Sequence, residues 1–255
     1  MQIVTWNVNS IRARMPRVLE FLERTSPDIV CLQETKVVDE QFPRGPLEDA
    51  GYQLALHGQK TYNGVAILSK RPIEDVHLGF GEAEFDQEAR VMAATVDDVM
   101  LLNLYVVNGK AVGDPKYVYK LAWMKCLAEY VAEHFPMSEK VVVTGDFNVT
   151  FDARDVYDPE GWEGKIHCSE AEREALAEVM RPGLVDALRA FHEEPELYTW
   201  WDFRTRGFQG NRGLRIDHFL CSPELMKVAK DVRVDLEARG GEKPSDHAPV
   251  ILELA

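Results

Sequence analysis

The sequence predicts two packed β-sheets flanked by helical layers, on three observations. Between residues 51 and 105 the segments YQLALHG, NGVAILSK, EARVMAATV and VMLLNLYVV follow one another with turn residues between them, which is a succession of strands. Helix-start chemistry occurs outside that stretch, so helices belong on the outside of a β-rich core. The run VVVT, Val141 to Thr144, is apolar and β-branched at successive positions, as in a strand covered on both faces.

Taken in order, IVTW is a strand that leads to Asn7 and Asn9. Pro16 is read as the first residue of a helix through Arg24, since proline loses no helical hydrogen bond at that position. DIVCLQ leads to Glu34 and LLNLY to Asn108. Asp114 with Pro115 opens a long helix to about His134, and Ser169 with Glu172 has capping-box spacing for another to about Met180. VVVT leads to Asp146 and Asn148, LRI is read as a strand leading to Asp217, and SDH at 245 to 247 precedes the strand APVILEL. Each of these segments is flanked by an acid, an amide or a histidine. One such ending is an ordinary turn, whereas the whole set points to convergence at one edge. The endings TWNVN and TGDFNV further suggest two related halves.

Length and charge set outer bounds. A chain of 255 residues without a Ser/Gly-rich tract or low-complexity block is read as one domain, residues 1–255. Its 29 Lys and Arg against 43 Asp and Glu leave a net charge of −14, which excludes a uniformly basic nucleic-acid binder. A local exception is RTRGFQGNRGLR, Arg204 to Arg215, with four arginines and no acid. The start MQIVTWNV lacks signal-peptide flanks and no apolar stretch approaches membrane-spanning length, so a cytoplasmic location and no membrane partner are expected. Four cysteines, at 31, 126, 168 and 221, form no CxxC pair and suggest neither a zinc site nor a disulfide framework.

Chemistry follows from the strand ends. Asn7, Glu34, Asp146, Asn148 and Asp246 are oxygen donors, the preference of Mg²⁺ or Mn²⁺, and phosphoryl transfer is the reaction class that most needs such a set. His247 follows Asp246 directly, and Asp217 is its candidate partner.

The motifs VTWNVNSIRAR, DIVCLQETK, YNGVAILS, LYVVNG, TGDFNV, LRIDHFL and SDHAPV together resemble the exonuclease III family of abasic-site endonucleases, within the endonuclease/exonuclease/phosphatase group. They run from Thr5 to Pro249 in the family order. SDHAP is common to the larger group, while WNVN, LQETK and YNGVAILS belong to its DNA-repair branch. The resemblance implies an α/β fold, a four-layer α/β/β/α sandwich of two packed mixed β-sheets flanked by helices. It implies Glu34 as the principal metal ligand, with Asn7, Asp146, Asn148, Asp246 and His247 around the ion. Asp146 would handle the proton of the attacking water or leaving oxygen, Asn148 would steady water and phosphate, and Asp217 would hold His247 through its other ring nitrogen. Tyr105 would contact the scissile phosphate beside Asn108. One departure is Val107, where the family has proline.

For DNA, the resemblance implies that Trp200, Leu214 and Ile216 wall a pocket for a flipped-out abasic sugar, and that Asn9 lies on the DNA face. Arg204, Arg206, Arg212 and Arg215 would track the backbone, with Arg90, Arg12 and Arg14 as further candidates. The expected function is that of a Mg²⁺-dependent monomer, with Mn²⁺ as a substitute. It would cut duplex DNA 5′ to abasic sites and act on blocked 3′ ends by 3′ to 5′ exonuclease and end-cleaning activity. A phosphoesterase for a phospholipid head group or inositol phosphate would lack the repair-type motifs. A non-catalytic nucleic-acid binder would have lost some of Glu34, Asp146, Asp217, Asp246 and His247, and none is lost.

Overall fold

A computed structural model describes residues 1–255. Twelve strands form two six-stranded mixed sheets. They are β1 (Gln2–Asn7), β2 (Ile29–Gln33), β3 (Gln53–His57), β4 (Val65–Ser69), β5 (Glu74–Leu78), β6 (Val91–Val96), β7 (Val99–Tyr105), β8 (Lys140–Asp146), β9 (Val185–Asp186), β10 (Asp217–Cys221), β11 (Ala229–Val234) and β12 (Val250–Leu254). One sheet has the order β11-β12-β1-β2-β4-β3, the other β5-β6-β7-β8-β10-β9. Each contains one parallel pair, β1 with β2 and β7 with β8, surrounded by antiparallel neighbours. No helix is long and apolar enough to cross a membrane.

Alternation along each central strand divides the apolar side chains between two cores. Ile3, Ile29, Cys31, Ile67, Leu101, Val142 and Phe219 meet between the sheets. Val4, Trp6, Val30 and Leu32 point the other way and pack on Val18, Phe21 and Leu22 of the helix Ile11–Thr25. Val141, Val143, Leu102 and Leu104 pack on Trp123, Leu127 and Val131 of the helix Pro115–His134 and on Leu176 and Val179 of the helix Glu170–Met180. The result is the expected order of helices, sheet, sheet, helices. At the site end the inter-sheet core turns polar: Gln33 Nε2 donates to Thr5 Oγ1 at 2.9 Å and to Asn103 Oδ1 of the opposite sheet at 2.7 Å.

Local chemistry accounts for the helix ends. Asp114 caps Pro115–His134 through the Lys116 amide, and the Ser169–Glu172 box is formed in both directions. Two expectations need correction. The first helix begins at Ile11, capped by the Ser10 side chain, so Pro16 lies inside it rather than at its start. LRI is no strand: β10 begins at Asp217, and Leu214 only bridges to Trp200 and Val156.

Candidate active site

Register brings the polar strand ends together. The parallel pairs set Asn7 opposite Gln33, one residue before Glu34, and Tyr105 opposite Asp146, while antiparallel β10 starts with Asp217 directly opposite Asp146. Gly145 is required by this packing, because a Cβ there would meet the Leu104 carbonyl oxygen at 1.9 Å. The segment before β12 is tied to the same edge: Ser245 Oγ donates to Asn7 O at 2.6 Å, and Trp6 Nε1 donates to His247 O at 3.2 Å.

Glu34, Asp146 and His247 form the centre, their donor atoms all within 4.8 Å of one another. His247 Nδ1 lies 2.9 Å from Asp217 Oδ2, and its Nε2 lies 3.7 Å from Asp146 Oδ2. Burial disfavours a charged imidazole, but Asp217, Asp146 and Asp246 outweigh it and push His247 up to about 10. Burial is also the largest cause lifting Asp146 to about 7; Asp217 and Glu34 add to the lift, against His247 and Asn7. Histidine and carboxylate therefore titrate as a linked pair. Asp217 retains a buried Oδ1 with no hydrogen-bond partner. The two carboxylates, with no thiol beside them, suit a hard divalent cation.

Several expected ligands do something else. Asn7 turns its amide nitrogen to the acids, donating to Glu34 Oε1 and Asp146 Oδ2 at 2.8 Å each, so it aligns the carboxylates instead of adding an oxygen. Asp246 stands outside the centre, accepting from Asn9 Nδ2 at 2.9 Å and Trp200 Nε1 at 3.1 Å. Asn148 has its amide committed, Nδ2 to Val106 O at 3.0 Å and Oδ1 to Asn108 Nδ2 at 3.1 Å. Its backbone N–H donates to Asp146 Oδ1 at 2.9 Å. The Tyr105 phenol is held neutral, its pKa raised first by burial and then by the charges of Glu34 and Asp146.

The expected DNA contacts divide. Arg204, Arg206, Arg212 and Arg12 are exposed and Asn108 is at the surface, while Arg14 is half-buried on the Pro244 carbonyl. Arg215 is a correction: it is 0 % exposed and fully engaged by Asp155 and Asp186, so it braces the fold and cannot reach a backbone. Arg90 is another, because it is buried over the Tyr105 ring at 4.7 Å and paired with Glu88. Leu214 and Ile216 are packed with Val156 and Cys168, leaving Trp200 as the half-buried member of that wall. Three residues near the centre had no assigned role in the sequence. Lys36 Nζ bonds Glu34 Oε2 at 2.7 Å and Asn9 Oδ1 at 2.6 Å, and its place two residues after Glu34 was the available signal. Lys120 and His167 both reach the Asn148 carbonyl, from positions that no motif marks.

The sequence profile of the endonuclease/exonuclease/phosphatase family matches residues 4–247. Exodeoxyribonuclease III of Haemophilus influenzae is 32 % identical over 266 residues, covering 100 % of both chains. Among solved structures, a 3′ phosphatase from Neisseria bound to a product DNA hairpin is 46 % identical, with a TM-score of 0.97 over 100 % of this chain and 99 % of that one. An AP endonuclease from Archaeoglobus fulgidus is 35 % identical, with a TM-score of 0.96 over the same shares.

Proposed function

This chain belongs to the endonuclease/exonuclease/phosphatase family, and from that premise we propose that it is a DNA-repair phosphoesterase, dependent on Mg²⁺ or Mn²⁺, that clears 3′ ends of duplex DNA. The observation that carries this reading is the Asp217–His247–Asp146 line set against Glu34. Glu34 and Asp146 would hold the ion, with Asn7 orienting both, and a bound divalent ion would neutralise charge on the phosphate oxygens.

The remaining chemistry falls to the chain's own groups. His247, held charged by Asp217, donates from Nε2 to a phosphate oxygen. Asp146 accepts a proton from the attacking water as the new P–O bond forms and the bond to the leaving oxygen breaks, and the proton then passes to that leaving oxygen. The neutral Tyr105 phenol is a further donor at the phosphate.

Incision 5′ to an abasic site is the second reading, supported by the similarity to the archaeal AP endonuclease. It ranks second because Leu214 and Ile216 are buried against Val156 and Cys168, so that Trp200 alone of the three offers a partly exposed face, with the His167 ring centroid 6.5 Å from its own. The test uses three duplexes, carrying a 3′-phosphate, a plain recessed 3′ end, or one internal abasic analogue, each with Mg²⁺ and with EDTA. Release of phosphate and 3′ nucleotides only with Mg²⁺ is expected, with slower nicking at the abasic analogue. Full activity in EDTA, or no reaction on any duplex, would overturn the reading, and faster abasic nicking would reverse the order.

A further inference from the structure

We propose that Lys120 is a positioning residue, its buried ammonium fixing the backbone of Asn108 and Asn148 and, through it, the hydrogen-bonded pair of their side-chain amides beside Asp146. The proposal rests on the phosphoesterase reading of the site. Lys120 lies on the helix Pro115–His134 and is 0 % exposed. Its Nζ donates to Asn148 O at 2.8 Å and to Asn108 O at 3.3 Å, and its third bond goes to Glu172, also 0 % exposed. Glu172 in turn accepts from the His167 and Ser169 amides at 3.1 and 3.2 Å and from Ser169 Oγ at 2.6 Å. One ion pair therefore ties together the turn after β7, the turn after β8 and the entry to the helix Glu170–Met180.

Those turns carry the two amides. Asn148 sits at φ 52°, and Asn108 Nδ2 donates to Asn148 Oδ1 at 3.1 Å. Asn148 is held at its N–H by Asp146, at its amide by Val106 O and Asn108 Nδ2, and at its carbonyl by Lys120 together with His167 Nδ1 at 2.6 Å. Gly109, next to Asn108, has φ 84°, and a Cβ there would lie 2.9 Å from Ile166 Cδ1 and 3.0 Å from Lys120 Cδ. A buried ion pair is often matched or exceeded in stability by apolar residues of similar volume. Its use here is therefore directional, because an apolar side chain fills the same space but holds no carbonyl.

That contrast supplies the test. Lys120→Met alone strands a buried carboxylate and should lower both stability and activity. The double variant Lys120→Met with Glu172→Leu should regain the wild-type urea midpoint, yet its kcat on a 3′-phosphate duplex should stay about tenfold or more below wild type, with KM changed about twofold or less. The side-chain amide signals of Asn108 and Asn148 in ¹⁵N NMR should shift or broaden. Wild-type kcat in a stable double variant, or a loss confined to KM, would overturn the proposal. If the double variant does not fold, Glu172→Gln decides, because Lys120 Nζ, charged or neutral, keeps two N–H donors for the two carbonyls. It should keep kcat within about threefold of wild type, and a loss of tenfold or more would overturn the role. Should the wild-type protein hydrolyse none of the duplexes, the phosphoesterase reading fails by itself; unchanged asparagine amide signals in the variants would then overturn the positioning role separately.

Discussion

Asp146 and His247 lie 3.7 Å apart at the centre of the site, each shifted by the other and by Asp217. Acid–base groups of this kind contribute about 10²–10⁴-fold, so Asp146→Asn and His247→Asn should each lower kcat by that order while DNA affinity changes far less. Turnover and fluorescence-anisotropy binding measured side by side check this; normal turnover with weak binding would assign both residues to substrate capture. Arg215 gives the opposite profile. Its guanidinium bridges two carboxylates, Asp155 and Asp186, and Arg215→Met, which strips Asp186 of its cation and leaves Asp155 with Arg189 alone, should cost about 3–5 kcal/mol in urea unfolding. DNA affinity of the folded fraction should stay at the wild-type level.

Among the elements, the helix Ile11–Thr25 carries a cost that the sequence pattern places elsewhere. Pro16 is its sixth residue, where it removes the bond that an N–H would make to the Arg12 carbonyl. The helix persists because Val18, Phe21 and Leu22 bury against β1 and β2, and tertiary packing outweighs local propensity. Pro16→Ala should therefore stabilise the protein by about 1–3 kcal/mol, read as a higher thermal midpoint with unchanged activity. A lower midpoint would show that the ring itself packs usefully. By contrast, the helices at Pro115 and Glu170 begin where their caps predict, since a cap needs only its own next three residues.

At the scale of the whole molecule, an acidic protein must hold a polyanion through a local field. Arg204, Arg206 and Arg212 stand exposed on one loop against a net charge of −14. Each phosphate contact contributes a slope of about 0.9 in log K against log salt, so replacing two of these arginines should flatten the dependence by up to about 1.8. An unchanged slope would place the duplex on another face. Acid should weaken the fold before it reaches the usual carboxylate range. His218 is buried, and burial first, then Arg215, pushes it down to about 4 from 6.5. Its contribution is whole above pH 6.5 and is lost as pH falls toward 4, because the unfolded chain takes the proton first. Asp155 acts lower: burial raises it, but Arg215 more than compensates and holds it at about 2, so its contribution is lost between 3.8 and 2. Between pH 6.5 and 4.5 His218 and the similarly lowered His167 lose stability, while Asp146, raised to about 7, gains it on protonation. His218→Asn should therefore shift the urea midpoint upward at pH 4.5 relative to its value at pH 6.5 when compared with wild type; an unchanged difference would assign the acid effect to other groups.

What the sequence determined by itself is the central strands and the polar residues that end them, not the edge strands Glu74–Leu78, Val185–Asp186 and Ala229–Val234. A strand covered on both faces must be an apolar run, and the polar residues beside it mark an edge, so Glu34, Asp146 and His247 were legible one segment at a time, whereas Tyr105 came only from the resemblance. The four-layer order was legible too, from the resemblance carried by those same motifs. Which way an amide turns and which arginine faces water were decided only in the tertiary structure. Asn7 is oriented by acids 27 and 139 residues away, and Arg215 is claimed by Asp155 at a separation of 60. Lys120 likewise gains its place from Asn148 and Glu172, at separations of 28 and 52. A hydrogen bond or ion pair between distant segments leaves no periodicity in either one, so these assignments appear only once the two sheets have brought the segments to a common edge.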